Sequence, residues 1–126
     1  MPKVALVVDD SMLIRHTVCR FLEERGYAVE SATNGKDAME ILKTVLPDLI
    51  ITDMQMPKMD GTELITNLKA SPAIANIPIV ILQGKKNHSD PEAETRANYV
   101  IYKDIDIVAQ LGRALAVTLG REIVDS

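Results

Sequence analysis

Short apolar runs alternate along this chain with stretches whose apolar residues recur every three to four positions. VALVV (4–8) is continuous and apolar, as in a strand covered on both faces. Ile14, Val18, Phe21 and Leu22 then share one helical face, with Ser11 placed as N-cap and Gly26 as C-terminal cap. AVESA (28–32) is a more polar strand, which suits a sheet edge. A second helix places Ala38, Ile41, Leu42 and Val45 on one face and is stopped by Pro47.

DLIIT (48–52) is a third strand, ending at Asp53. A loop, MQMPKMDG, follows with Pro57 and Gly61 as turn residues, and a third helix carries Leu64, Ile65 and Leu68. IPIVIL (77–82) and YVIY (99–102) are the fourth and fifth strands. Ile107, Val108, Leu111 and Leu115 mark a final amphipathic helix. Between the last two strands, residues 84–98 contain no large apolar side chain. Asp90-Pro91-Glu92 starts a helix there, but only Ala93 and Ala97 can face a core. About two turns, weakly docked and mobile, are expected.

Strands alternating with helices imply an α/β domain with a parallel sheet and right-handed crossovers. In such sheets the functional crevice lies beyond the carboxyl ends of the strands. The residues there are Asp9 and Asp10 after the first strand, Asp53 after the third, Gln83 after the fourth and Lys103 after the fifth.

Composition narrows the picture. The 126 residues make one domain, 1–126, with no repeat or linker-like tract. A net charge of -4 argues against non-specific nucleic-acid binding through this domain, leaving room for a small local basic patch, and no nucleic-acid partner is expected. A single cysteine, Cys19, excludes an internal disulfide. No apolar run approaches a membrane span or a signal sequence, so a cytoplasmic protein without membrane association is expected.

The adjacent carboxylates of Asp9 and Asp10 need an explanation. Two like charges about 4 Å apart repel by roughly 4 kcal/mol at a typical effective dielectric. One Asp after a strand is commonly a turn or cap residue, and one Lys there is commonly a solvated charge. Three carboxylates and an ammonium at three strand ends are a different matter. Mg²⁺ takes one or two carboxylates with waters and a phosphate oxygen, and would relieve the repulsion. A carboxylate beside Mg²⁺ and a Lys can attack a phosphoryl group and form an aspartyl-phosphate.

VVDDS, DLIITDMQMPKMDG, PIVIL and the late Lys103 resemble the receiver domain of bacterial two-component response regulators over nearly the whole chain. The stand-alone receiver of chemotaxis is a close pattern match. The resemblance implies a doubly wound five-stranded parallel sheet of order 2-1-3-4-5, a flavodoxin-like (βα)5 fold. It implies Asp53 as phospho-acceptor, Asp10 as a direct Mg²⁺ ligand, Asp9 acting through bound water, and the Gln55 carbonyl completing the metal site. Lys103 would pair with the phosphoryl group. The implied partner is a sensor histidine kinase or a phosphotransfer protein, and the implied role is signalling rather than enzymatic turnover.

The chain departs from that pattern near its output surface. Gln83 stands where the family carries a Ser or Thr hydroxyl, and its amide is longer. Gly84 is small, as the family needs for donor access. Val100 stands where the family places an aromatic switch residue, with Tyr99 and Tyr102 on opposite faces of the strand. Asp104 replaces the usual Pro after the Lys, implying a looser loop and a trans peptide bond.

Two rivals stay open. One is a pseudo-receiver that binds its partner with weak or no phosphorylation-dependent switching. The other, an aspartyl-phosphate phosphatase, needs a second acid two residues after its nucleophile. Neither Asp9-Asp10-Ser11 nor Asp53-Met54-Gln55 supplies one. His16 near Arg20 and Glu23 reads as a solvated face, and His88 has no ligand-spaced partner. Cys19 reads as a part-buried thiol, Lys85 and Lys86 as surface charges, and the Met residues of MQMPKM as loop packing.

Overall fold

The computed structural model describes residues 3–54, 61–83, 99–103 and 106–119. Five strands, β1 (Val4–Val8), β2 (Ala28–Ala32), β3 (Leu49–Asp53), β4 (Ile79–Gln83) and β5 (Tyr99–Tyr102), form one sheet. Every pairing is parallel and the order is 2-1-3-4-5, as expected, with β2 at an edge. Helices α1 (Met12–Glu23), α2 (Gly35–Ile41), α3 (Gly61–Ala70) and α4 (Ile107–Leu119) alternate with the strands.

Strand alternation divides the core in two. Ala5, Val7, Leu49, Ile51, Val80, Leu82 and Ile101 face α1 and α4, packing on Val18, Phe21, Leu22, Leu111 and Leu115. Leu6, Val8, Ile50, Ile79 and Ile81 face the other way, onto Ala38, Leu64, Ile65 and Leu68. Burying each such side chain contributes about 1.5–3 kcal/mol, so both faces hold the sheet.

The local signals around α1 work as read. Ser11 is extended and its hydroxyl accepts the Ile14 N–H. At the other end Gly26 adopts φ +88, its N–H reaches the Glu23 carbonyl, and the Tyr27 N–H reaches back to the Leu22 carbonyl. This paired closure is a Schellman turn, and it delivers Tyr27 into the core.

Several expected boundaries shift. Helix α2 ends at Ile41 rather than reaching Val45, and Leu42–Thr44 form a tighter turn. Thr44 and Val45 are β-branched and Leu46 precedes a proline, so the backbone leaves the helix early. Gly61 begins α3 instead of serving as a turn residue. β4 begins at Ile79, two residues later than expected, and includes Gln83. Asp53 likewise belongs to β3, as its last residue. Val108 is 50% exposed although it was expected on the apolar face with Ile107, Leu111 and Leu115; Gln110 is buried instead.

The helix expected within 84–98 lies outside the described residues, as do Pro57, Gly84, Lys85, Lys86, His88 and Asp104. Met54 packs in the second core cluster, in line with a packing role. Tyr99 packs on the first cluster and Val100 on the second, as alternation requires. No helix among the described residues is long and apolar enough to cross a membrane.

Candidate functional site

The register brings the acids together. β1 and β3 pair through Val8↔Thr52, so one further step sets Asp9 opposite Asp53. Ladder bonds continue past the strand ends: the Asp9 N–H reaches the Ala32 carbonyl (3.1 Å), and the Lys103 N–H reaches the Gln83 carbonyl (2.8 Å). Alternation puts Asp9, Asp53 and Lys103 in phase with Val7, Ile51 and Ile101, on the face covered by α1 and α4.

Lys103 has strands to cross. Neighbouring strands lie about 4.8 Å apart, and β4 separates β5 from β3. A four-carbon stem covers most of that distance, the Asp53 side chain and the ion-pair contact cover the rest, and a compact charge is left at the tip. Lys103 Nζ lies 2.9 Å from Asp9 Oδ2 and 3.1 Å from Asp53 Oδ1. Burial works against the Lys103 ammonium. The close Asp9 carboxylate and the charge of Asp53 outweigh it and hold Lys103 above the ordinary lysine value of 10.5.

The two adjacent acids part company. Asp9 is fully buried; Asp10 is exposed. Asp9 Oδ1 accepts the Ser11 N–H at 2.8 Å, joining the carboxylate to the turn that starts α1. Asp9 Oδ2 has no well-aimed hydrogen bond among the described residues, so its attraction to Lys103 at 2.9 Å is chiefly charge on charge. Arg15 Nη1 donates to the Asp9 backbone carbonyl at 2.8 Å. Lys103 therefore meets the buried charge that the expected metal alone was invoked to relieve.

A divalent cation still fits. Oxygens of Asp9, Asp10 and Asp53 lie within 4.8 Å of one another. Three carboxylates against one ammonium leave a negative excess that a hard dication matches, and oxygen donors are its preferred chemistry. Gln55, expected to complete the set, lies outside the described residues.

Gln83 stands at the end of β4, 5% exposed, and its Nε2 has no hydrogen-bond partner among the described residues. Its backbone carbonyl, not its amide, is what holds Lys103. Strand alternation sets it in phase with Ile79 and Ile81, on the opposite face from Asp9 and Asp53.

Two contributors were not found from the sequence. Arg15 is one; its position six residues after Asp9, one helical turn into α1, is the signal that could have found it. Gln110 is a polar residue within an apolar helical stripe, and its amide bonds to the backbone of Tyr102, next to Lys103. Cys19 is half-buried; burial, then Glu23, push its thiol up, Arg15 opposing, which makes it a poor nucleophile at neutral pH. His16 is exposed.

The comparisons agree with this geometry. The family model "Response regulator receiver domain" matches residues 5–114. A gliding motility regulatory protein of Myxococcus xanthus is 41% identical over 85 residues, 68% of this chain; the chain spans 11% of that relative's length. The receiver domain of a signal transduction histidine kinase from Syntrophus aciditrophicus is 33% identical, with 95% of this chain and 92% of that chain covered and a TM-score of 0.79. The receiver domain of sensor histidine kinase PA1611 from Pseudomonas aeruginosa PAO1, solved with magnesium coordinated in its active site cleft, shares the fold. It is 23% identical, with a TM-score of 0.85, 95% of this chain and 99% of that chain covered. A sheet of order 2-1-3-4-5, acids gathered at its carboxyl edge and a family match across most of the chain lead to one conclusion: this chain belongs to the response regulator receiver domain family.

Proposed function

We propose that this chain is a single phospho-acceptor signalling domain over residues 1–126, phosphorylated on Asp53 in a Mg²⁺-dependent reaction by a sensor histidine kinase or a phosphotransfer protein. The observation that carries this reading is the bridge made by Lys103 Nζ between Asp9 and Asp53, within the same oxygen cluster as Asp10. The magnesium in the cleft of the Pseudomonas receiver is the same chemistry on a shared fold.

Asp53 is the nucleophile: one carboxylate oxygen bonds to phosphorus as the bond from phosphorus to the donor atom breaks, and the electron pair leaves with the donor. The carboxylate reacts ionised, so no base is needed. Lys103 is already 3.1 Å from Asp53 Oδ1, placed to offset charge on the phosphoryl oxygens. Asp9, Asp10 and Asp53, with the Gln55 carbonyl, would hold Mg²⁺, which lowers the repulsion between the acids and an incoming phosphoryl group.

Incubation with acetyl phosphate and Mg²⁺, read by intact mass beside a competent control receiver, tests the reading. One phosphoryl group is expected on the wild type and none on Asp53→Asn. No gain on the wild type, with the control modified, rejects it.

Gln83 favours a second reading, a pseudo-receiver whose partner surface does not depend on phosphorylation. Its buried amide, whose Nε2 has no hydrogen-bond partner among the described residues, stands where the family carries the hydroxyl that couples chemistry to movement. In that case Asp53→Asn leaves partner binding intact, and a large loss of binding in that variant rejects it.

A further inference from the structure

Among the described residues of α4, Gln110 is the buried polar side chain, 6% exposed. It faces β5, which is an edge of the sheet. The Lys103 N–H turns inward to the Gln83 carbonyl. Groups alternate along a parallel strand, so the Tyr102 N–H and C=O turn outward to the open edge. Gln110 meets both. Its Oε1 accepts the Tyr102 N–H at 2.9 Å, and its Nε2 donates to the Tyr102 carbonyl at 2.8 Å.

A primary amide carries a donor and an acceptor side by side, as a neighbouring strand would offer in succession, so it closes that edge at one residue. Nε2 also donates to the Asp106 carbonyl at 3.2 Å. Asp106 itself caps α4, its Oδ1 accepting the Ala109 N–H at 3.1 Å. Both ends of the segment that carries Lys103, at Tyr102 and at Asp106, are thereby tied to one amide.

We infer that Gln110 is a positioning residue: its amide clasp holds the backbone beside Lys103 so that the ammonium stays on Asp9 and Asp53. Its kinetic consequence rests on Asp53 being the phosphoryl acceptor; its structural consequence does not. Gln110→Leu keeps the volume and removes both partners of Tyr102. Gln110→Glu keeps the acceptor and loses the Nε2 donations.

The full chain is tested in three ways: amide hydrogen exchange at Tyr102, the rate of mass gain from acetyl phosphate with Mg²⁺, and urea unfolding. With its circular dichroism spectrum retained, Gln110→Leu should exchange Tyr102 faster and take up phosphoryl groups about tenfold more slowly. In a Lys103→Met background the same substitution should cause no further slowing, because the two residues act as a unit. Faster exchange with an unchanged rate overturns the inference, and so does equal slowing in both backgrounds. Should Gln110→Leu fail to fold, Gln110→Glu decides: intermediate exchange and rate support the clasp, and wild-type behaviour overturns it. Should the wild type take up no phosphoryl group, the functional reading fails by itself. The clasp is then judged by the urea cycle of Gln110→Glu with Lys103→Met, where additive losses overturn it.

Discussion

Lys103 Nζ and Asp9 Oδ2 stand 2.9 Å apart, one at the end of an edge strand and the other fully buried at the end of a central one. Taking the ammonium away strands a carboxylate in the core. Lys103→Met should cost about 2–4 kcal/mol in urea unfolding without divalent cation at pH 7. In a cycle with Asp9→Asn most of that loss should vanish, because the stranded charge is gone. Additive losses would show that the pair does not hold the two strand ends together.

The same ion pair sets a pH dependence. Lys103 is held above 10.5, so the folded chain keeps this proton to higher pH than the unfolded chain does. Its stabilisation is fully present below the unfolded value and disappears as pH rises through the folded one. Urea midpoints should therefore fall more steeply for the wild type than for Lys103→Met as pH rises through and above the ordinary lysine value of 10.5, and run parallel well below it. Curves that stay parallel above that value would contradict the assignment.

Mg²⁺ should raise the melting temperature of the wild type, since it binds the folded cluster and not the separated acids of the unfolded chain. Asp10→Asn removes an exposed charge and should barely change stability without metal. It should weaken Mg²⁺ binding about tenfold or more by calorimetry. Unchanged affinity in that variant would remove Asp10 from the metal site.

Gly26 tests the closure of α1 apart from the site. A side chain there would meet nothing within 4 Å, yet the backbone sits at φ +88. Gly26→Ala should therefore cost about 1–2 kcal/mol in urea unfolding, through conformation and not through a clash. Gly26→Asn should cost less, because Asn tolerates the left-handed region. A neutral Ala variant would mean that the turn rearranges freely.

What was legible in the chain follows from how far each signal reaches. The strands inside the sheet were readable because their apolar runs are continuous and stop at a charged or polar residue, as VALVV stops at Asp9; the edge strand AVESA is more polar and carries a weaker signal. The convergence of Asp9, Asp53 and Lys103 followed from parallel topology, which puts all carboxyl ends at one edge. Gln110 was hidden because its partner is a backbone edge created only when β5 joins the sheet. The division of labour between Asp9 and Asp10 was hidden too. Adjacent identical residues differ only by which face of the sheet they meet, and burial decides that.

Gln83 offers a test that separates stability from chemistry. Its Nε2 is buried without a partner among the described residues, a state that costs about 1–3 kcal/mol when nothing offsets it. Gln83→Met keeps the length and removes the polar group, so urea unfolding should show equal or higher stability. If that amide waits for a phosphoryl oxygen, the same variant should also be phosphorylated on Asp53 about tenfold more slowly, because it loses a donor that acts on developing charge. A clearly destabilised variant would mean that Nε2 is satisfied in solution. A stable variant with an unchanged rate would leave Gln83 no part in the chemistry and strengthen the case for a surface that does not switch.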